Sequence, residues 1–352
     1  MTEAISLFIY LLFLYYCLRY VRDHRISDLV LIQIVGIALL AFRLSYLLVV
    51  QVTTLLLPLI AFLPTVAARR RLARLLASAL WRHLAISILL MLALHSGYKR
   101  LNGRLSHSTP EYGYNTGFHL LAVWAPALQP ADAVDARLAS VIANGKDYQI
   151  ANLDLRNNQR FSPGYLVDRW RKIESNPFTA NEIGRRTATR AFQRRPLQIL
   201  DLGLRTYLEF WNHRSMRIFS RLDLGHDMTN NEVAVLAKYF HWTGTTSIST
   251  QRPTFLQKYF LRSRPYCLFA LTSPLLAVLS LVLRSQIKYA AVLFVHASVL
   301  VAVITVLTVN PSMRYVQPIS VLTILLVALL AERFLQRRPI HSRAPAEALH
   351  QV

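Results

Sequence analysis

Cysteine, acidic residues and charge in general are scarce in this chain, and each scarcity excludes something. Only two cysteines occur. Cys17 falls inside the first apolar run and Cys267 at the start of a later one. No disulfide framework therefore holds the fold, and neither thiol reports a redox compartment. Charged residues make up 16% of the 352 positions, against 54% hydrophobic. A soluble protein of this size carries more charge and spreads its apolar residues over faces. Here they are gathered into blocks, the composition of a polytopic membrane protein. Aspartate and glutamate number 18 against 40 lysines and arginines, a net charge of +22. No RNA- or DNA-binding motif accompanies that charge. Nucleic acid is excluded as a partner, and the arginines are assigned to helix ends and anionic membrane lipids.

Other absences narrow the class further. No Asn-X-Ser/Thr acceptor occurs, because Asn310-Pro311-Ser312 has proline in the middle. Long exposed segments without acceptors point to a bacterial protein. The N-terminus has no basic n-region and no small-residue cleavage site, so Ala4–Tyr20 reads as a retained span. Nucleophile-elbow, Walker, dinucleotide-fingerprint and zinc-protease motifs are all missing. His95, His107 and His119 are evenly spaced by twelve residues, which is no ligand spacing on a helix. They are assigned to surface or packing roles, and the sequence implies no metal and no cofactor.

What is present is a series of apolar runs. Ala4–Leu18 is the first, followed by Arg19, Arg22 and Arg25. Leu29–Leu63, as one helix, would be about 50 Å long against a hydrocarbon core of about 30 Å. Two short spans turning near Arg43-Leu44-Ser45 fit better. Trp81–Leu94 follows, with Arg82 snorkelling. Tyr266–Leu283, Tyr289–Val309 and Ile319–Leu330 complete the set. The reading is all-α: a polytopic membrane helix bundle of about seven spans with a mainly helical extracytoplasmic domain. Residues 1–94 form an N-terminal membrane bundle and 95–264 the extracytoplasmic domain. Residues 265–335 form a C-terminal bundle and 336–352 a cytoplasmic tail.

Charge fixes the orientation. With the N-terminus outside, the short inner segments collect Arg19–Arg25, Arg69–Arg74, Arg284, Lys288 and the arginines after Ala331. The short outer loops hold only Arg43 and Arg314. That asymmetry is the positive-inside pattern of an integral, bacterial inner-membrane protein with a cytoplasmic C-terminus. A single span over Leu29–Leu63 would break it.

Within the outer domain, Ala131–Ala143 reads as a helix with Asp132 and Asp135 as N-terminal acids. Asn152–Gly164 reads as a loop and Asn181–Arg195 as a basic helix. Leu197, Leu200, Leu204, Tyr207, Leu208 and Trp211 recur at helical spacing, which predicts an amphipathic helix lying on the membrane or on the bundle.

Arg314 with Tyr315, in the hinge Asn310–Pro318, is the sharpest candidate site. A guanidinium at headgroup level suits a phosphate or pyrophosphate on a lipid carrier, or a plain headgroup contact. Arg43 beside Ser45 and Tyr46 is the second candidate, alternatively a snorkelling turn residue. Glu111, in an aromatic and glycine setting, is placed as a general base or a sugar-hydroxyl ligand, alternatively as a solvated loop residue.

Three stretches together resemble the later part of a GT-C class glycosyltransferase, the polytopic enzymes that take a sugar from a polyprenyl-phosphate donor. They are Thr2-Glu3-Ala4 leading into Ile5–Leu18, Asp28–Pro58 around Arg43, and Met313-Arg314-Tyr315-Val316-Gln317-Pro318. The resemblance implies a lipid-linked sugar donor as partner and a carrier-phosphate role for Arg314 and Arg43. It places no catalytic aspartate. That residue sits in the family in an earlier outer loop, so the resemblance implies either an incomplete chain, with a partner subunit as a source of the missing spans, or a divergent protein whose acid lies elsewhere. The alternative is a non-catalytic membrane scaffold or partner subunit presenting the extracytoplasmic domain. A transporter fits worst, because His296 is the only ionisable side chain near the middle of a later span.

Overall fold

The computed structural model describes residues 2–62, 70–145, 152–212, 234–235, 237–239, 241, 269–283, 286–309, 311 and 313–336. Helices account for the architecture, and no strand occurs among the described residues. In chain order they begin with α1 (Thr2–Asp23), α2 (Ile26–Phe42), α3 (Leu47–Ala61) and α4 (Arg70–Leu105). The middle of the chain carries α5 (Thr116–Val123), α6 (Ala136–Ala143), α7 (Leu153–Phe161), α8 (Leu166–Ile173), α9 (Pro177–Arg194) and α10 (Pro196–Trp211). After residues outside the described set come α11 (Ser273–Val282), α12 (Ile287–Val306) and α13 (Met313–Gln336).

Among the described residues, five stretches are long and apolar enough to cross a membrane: Ala4–Asp23, Leu44–Ala61, Ser78–Leu105, Ile287–Val306 and Tyr315–Gln336. The chain is on that basis an integral membrane protein. Two shorter apolar helices, Ile26–Phe42 and Ser273–Val282, stand beside them. The long apolar run after Asp28 does break at Arg43, which is extended and leads into a single 3-10 turn, Leu44–Tyr46. In contrast, α4 continues straight through His95 to Leu105, eleven residues beyond the Leu94 limit expected for that span.

The bundle core joins α1, α2, α3, α12 and α13 through Tyr10, Phe13, Ile32, Leu57, Ala297 and Ile319. Polar groups link helices inside it. Tyr10 Oη and His296 Nδ1 are 3.1 Å apart, and the Tyr10 ring stacks on Tyr46 with centroids 5.2 Å apart. Tyr20 Oη meets His83 Nδ1 at 2.9 Å, and Tyr112, in the segment between α4 and α5, ties back to α4 with its Oη 2.8 Å from His95 Nδ1. Such bonds hold helices together where lipid offers no hydrophobic drive between them. Buried Asp28 pairs with Arg19 at one end of the bundle. Arg43 marks the opposite end.

The middle helices have their own core around Trp170, Leu121, Leu138, Ile142 and Leu166. Asp135 caps α6, accepting from Arg137 N at 2.7 Å. Asp132 lies before that helix rather than in it. It closes the 3-10 turn Pro130–Asp132 by accepting from Gln129 N at 2.8 Å, and is buried against Arg195 and Arg194. The stretch read as a loop is a helix, α7, whose N-cap Asn152 accepts from Asp154 N at 2.8 Å. Its buried face is Leu153, Arg156 and Gln159, so polarity disguised the burial.

At the start of α5 a remote side chain does the capping. Asn181, on α9, accepts from Gly117 N at 2.8 Å and from Phe118 N at 3.4 Å. The helices approach so closely that a Cβ on Gly117 would lie 1.8 Å from the Asn181 carbonyl oxygen. Asn181→Ala leaves buried amide donors of α5 without a partner. A loss of about 1–2 kcal/mol is expected, read as a lowered midpoint of thermal unfolding in detergent.

Candidate functional site

A cavity of about 290 Å³ lies at the Arg43 end of the bundle, where α5 and α7 meet the end of α12 and the start of α13. Its lining includes His119, Arg156, Asn157, Arg160, Thr308 and Tyr315. Two of these, Arg156 and Arg160, are one turn apart on α7 and so share a face.

Arg156 is fully buried. Its Nε donates to Val123 O at 2.8 Å, and its Nη1 donates to Thr206 Oγ1 at 3.0 Å and Leu202 O at 3.4 Å. Nη2 has no partner. Among the described residues no carboxylate pairs with this guanidinium, and burial pulls its pKa down to about 10. A buried cation held only by neutral acceptors carries an uncompensated desolvation cost. The unpaired Nη2 adds to it. Beside it, Asn157 Oδ1 is also buried without a partner.

Arg160 and His119 form the second part. Nη1 of Arg160 donates to His119 Nδ1, and His119 Nε2 donates to Leu307 O. This pair of bonds assigns the imidazole as the neutral Nε2–H tautomer. Burial, reinforced by the Arg160 charge, pushes the His119 pKa down to about 4. Burial also lowers that of Arg160. Trp124 Nε1 donates to Val306 O at 2.8 Å. Two ring N–H groups thus satisfy carbonyls at the end of α12, which a helix leaves without internal partners, and they tie α5 to that end.

Tyr315 lines the same cavity, and the Arg43 guanidinium lies 5.2 Å from its ring centroid. The two candidates from separate hinges are therefore brought together. The Arg314 backbone opens α13 next to them, while its side chain lies outside the described residues. Glu111 is not brought to this place. It sits 3.7 Å from Arg185 Nε, in a cluster where Arg185 also holds Glu182 at 2.6 Å. Burial and a hydrogen bond with Glu182 raise the Glu111 pKa above the usual carboxylate range. Among the described residues the polar groups of the cavity lining are arginine, histidine, amide, hydroxyl and phenol, with no acid.

The arrangement has the chemistry to receive an anion. Both arginines line the cavity, and a tetrahedral oxyanion there would meet guanidinium donors in charge-assisted bonds. Among the described residues no group of three His, Cys, Asp or Glu is placed to hold a metal ion. Arg156, Arg160 and Asn157 were missed in the sequence because Asn152–Gly164 read as a loop. The available signal was two arginines at i and i+4 behind an asparagine N-cap. Comparisons with known protein families, with curated proteins and with solved structures find no match.

Proposed function

We propose that the protein is a membrane glycosyltransferase-like enzyme that seats the phosphate of a polyprenyl-phosphate sugar in the Arg156–Arg160 cavity. In this reading α2 and α11 also cross the bilayer, giving seven spans, and the cavity faces the outside of a bacterial inner membrane. The observation that carries it is Arg156: a buried guanidinium with one nitrogen unpaired and, among the described residues, no acid in the cavity around it. Arg43, Tyr315 and Arg314 would stand at the cavity's Arg43 side, toward the phosphate-bearing lipid. The acceptor oxygen attacks the anomeric carbon, its bond to phosphate breaks, and the leaving phosphate takes the electron pair. Arginines stabilise that charge, and the acceptor proton passes to a carboxylate, for which Glu111 is the candidate.

One observation favours the non-catalytic reading. Glu111 is engaged by Arg185 and does not line the cavity. A scaffold or partner subunit that binds the same lipid phosphate without transferring sugar has the same receptor. The two readings share a binding test. Polyprenyl phosphate at about 100 times its Kd stabilises the purified full chain by about 2.7 kcal/mol, and the polyprenol lacking phosphate does not. Equal stabilisation by both lipids, or by neither, would remove the cavity as a phosphate site. Transfer of radiolabelled sugar from the loaded donor then separates enzyme from scaffold.

A further inference from the structure

The α10 helix carries an apolar stripe that faces away from the protein. Leu197 is 78% exposed, Leu204 56% and Leu208 57%. Leu200 and Trp211 extend the same stripe. A separate face, Ile199, Leu202, Gly203, Thr206 and Phe210, is the one buried against the protein. Asp201, Arg205 and Glu209 make a third face, with Asp201 and Arg205 paired at 2.7 Å. At the angular step of an α-helix these faces are centred roughly 120° apart. Such a helix is satisfied where protein, hydrocarbon and water meet, and nowhere else. In bulk water the leucines are stranded. Across the bilayer the charged face is stranded instead.

The position of α10 agrees with that demand. A Cβ on Gly203 would lie 2.7 Å from Val306 Cγ2, so the middle of α10 crosses the last turn of α12, a membrane-crossing helix. Phe210 belongs to the same apolar core as the spans, while Ile199 and Leu202 pack with Val309 beyond the end of α12. The leucine stripe therefore continues the lipid-facing surface of the bundle at the level where α12 ends.

We infer that α10 is an interfacial helix, with its leucine stripe embedded in the acyl region of the leaflet at the Arg43 end and its charged face in water. Thr206 and Leu202 of this helix hold Arg156. The seat of α10 therefore sets the depth of that guanidinium at the headgroup layer. The inference stands without the glycosyl-transfer reading and fails independently of it.

The full chain, with Cys17→Ser and Cys267→Ser, is placed in phosphatidylethanolamine–phosphatidylglycerol nanodiscs. Single spin labels go on Leu200→Cys, Leu204→Cys and Leu208→Cys, and on Asp201→Cys, Arg205→Cys and Glu209→Cys. Expected is a several-fold preference for oxygen over a water-soluble nickel chelate at the leucine positions, reversed at the charged ones. Nickel access at both sets makes α10 a water-exposed helix and overturns the inference. Oxygen access at both sets places the helix inside the bilayer and overturns it as well. Leucine positions shielded from both agents mean that another segment or a second copy covers the stripe, which again overturns it. A label-free check is the fluorescence removed by Trp211→Phe. It is quenched by shallow brominated lipid if α10 is interfacial, and unquenched if it is not.

Discussion

Replacing Arg156 with lysine is expected to lower sugar transfer, or affinity for the donor lipid if transfer is absent, by about a hundredfold, the effect of losing roughly 3 kcal/mol of charge-assisted bonding. The reasoning lies in geometry more than charge. Lysine keeps the cation but has no planar fork, so its single nitrogen cannot hold Val123 O and Thr206 Oγ1 and also serve a ligand phosphate in charge-assisted bonds. A purely structural role predicts a different pattern. In that case Arg156→Lys lowers the unfolding midpoint and leaves the phosphate-dependent part of the stabilisation intact. Measuring both unfolding and its dependence on polyprenyl phosphate distinguishes the two. Unchanged phosphate dependence in a folded Arg156→Lys protein would show that the ligand does not reach this guanidinium.

The membrane helices were legible because a bilayer demands long apolar stretches and length alone locates them. The break at Arg43 followed from the same arithmetic: a run too long for one crossing contains one cation. The cavity was not legible, for two physical reasons. Its contacts join residues far apart in the chain, as when His119 bonds to Leu307 and to Arg160. Its walls also break the usual link between burial and hydrophobicity, since α7 turns Arg156 and Gln159 inward. The α10 helix misleads in a complementary way. Its most apolar stripe faces outward, and the face on the protein includes Gly203 and Thr206. Small and polar side chains permit close helix approach where the surroundings are as apolar as leucine. Arg43 and Tyr315 show the opposite case: two weak signals from separate hinges gain meaning once they lie 5.2 Å apart.

His119→Gln is expected to flatten an acid-dependent loss of stability. The imidazole is held neutral, with its pKa near 4 against 6.5 for an ordinary histidine, first by burial and second by Arg160. A depressed histidine pKa means that the unfolded chain binds the proton more readily. Stability is therefore complete above pH 6.5 and falls as pH drops from 6.5 towards 4. The whole loss across that window is about 3 kcal/mol. Protonation also makes Nδ1 a donor, so the bond accepted from Arg160 is lost and two cations face each other. Glutamine can accept from Arg160 through Oε1 and donate to Leu307 O through Nε2 without titrating. Glu111 works in the other direction, because its pKa is raised on folding and its protonation favours the folded state at low pH. The informative quantity is accordingly the difference between the wild-type and His119→Gln profiles, which cancels Glu111. Denaturant unfolding between pH 4 and 7.5 in one detergent should show the wild type losing stability relative to the variant by about 3 kcal/mol as pH falls across that window. Parallel profiles would mean that His119 is already protonated, or solvated, in the folded protein, and the Arg160–His119–Leu307 chain would lose its place in the site.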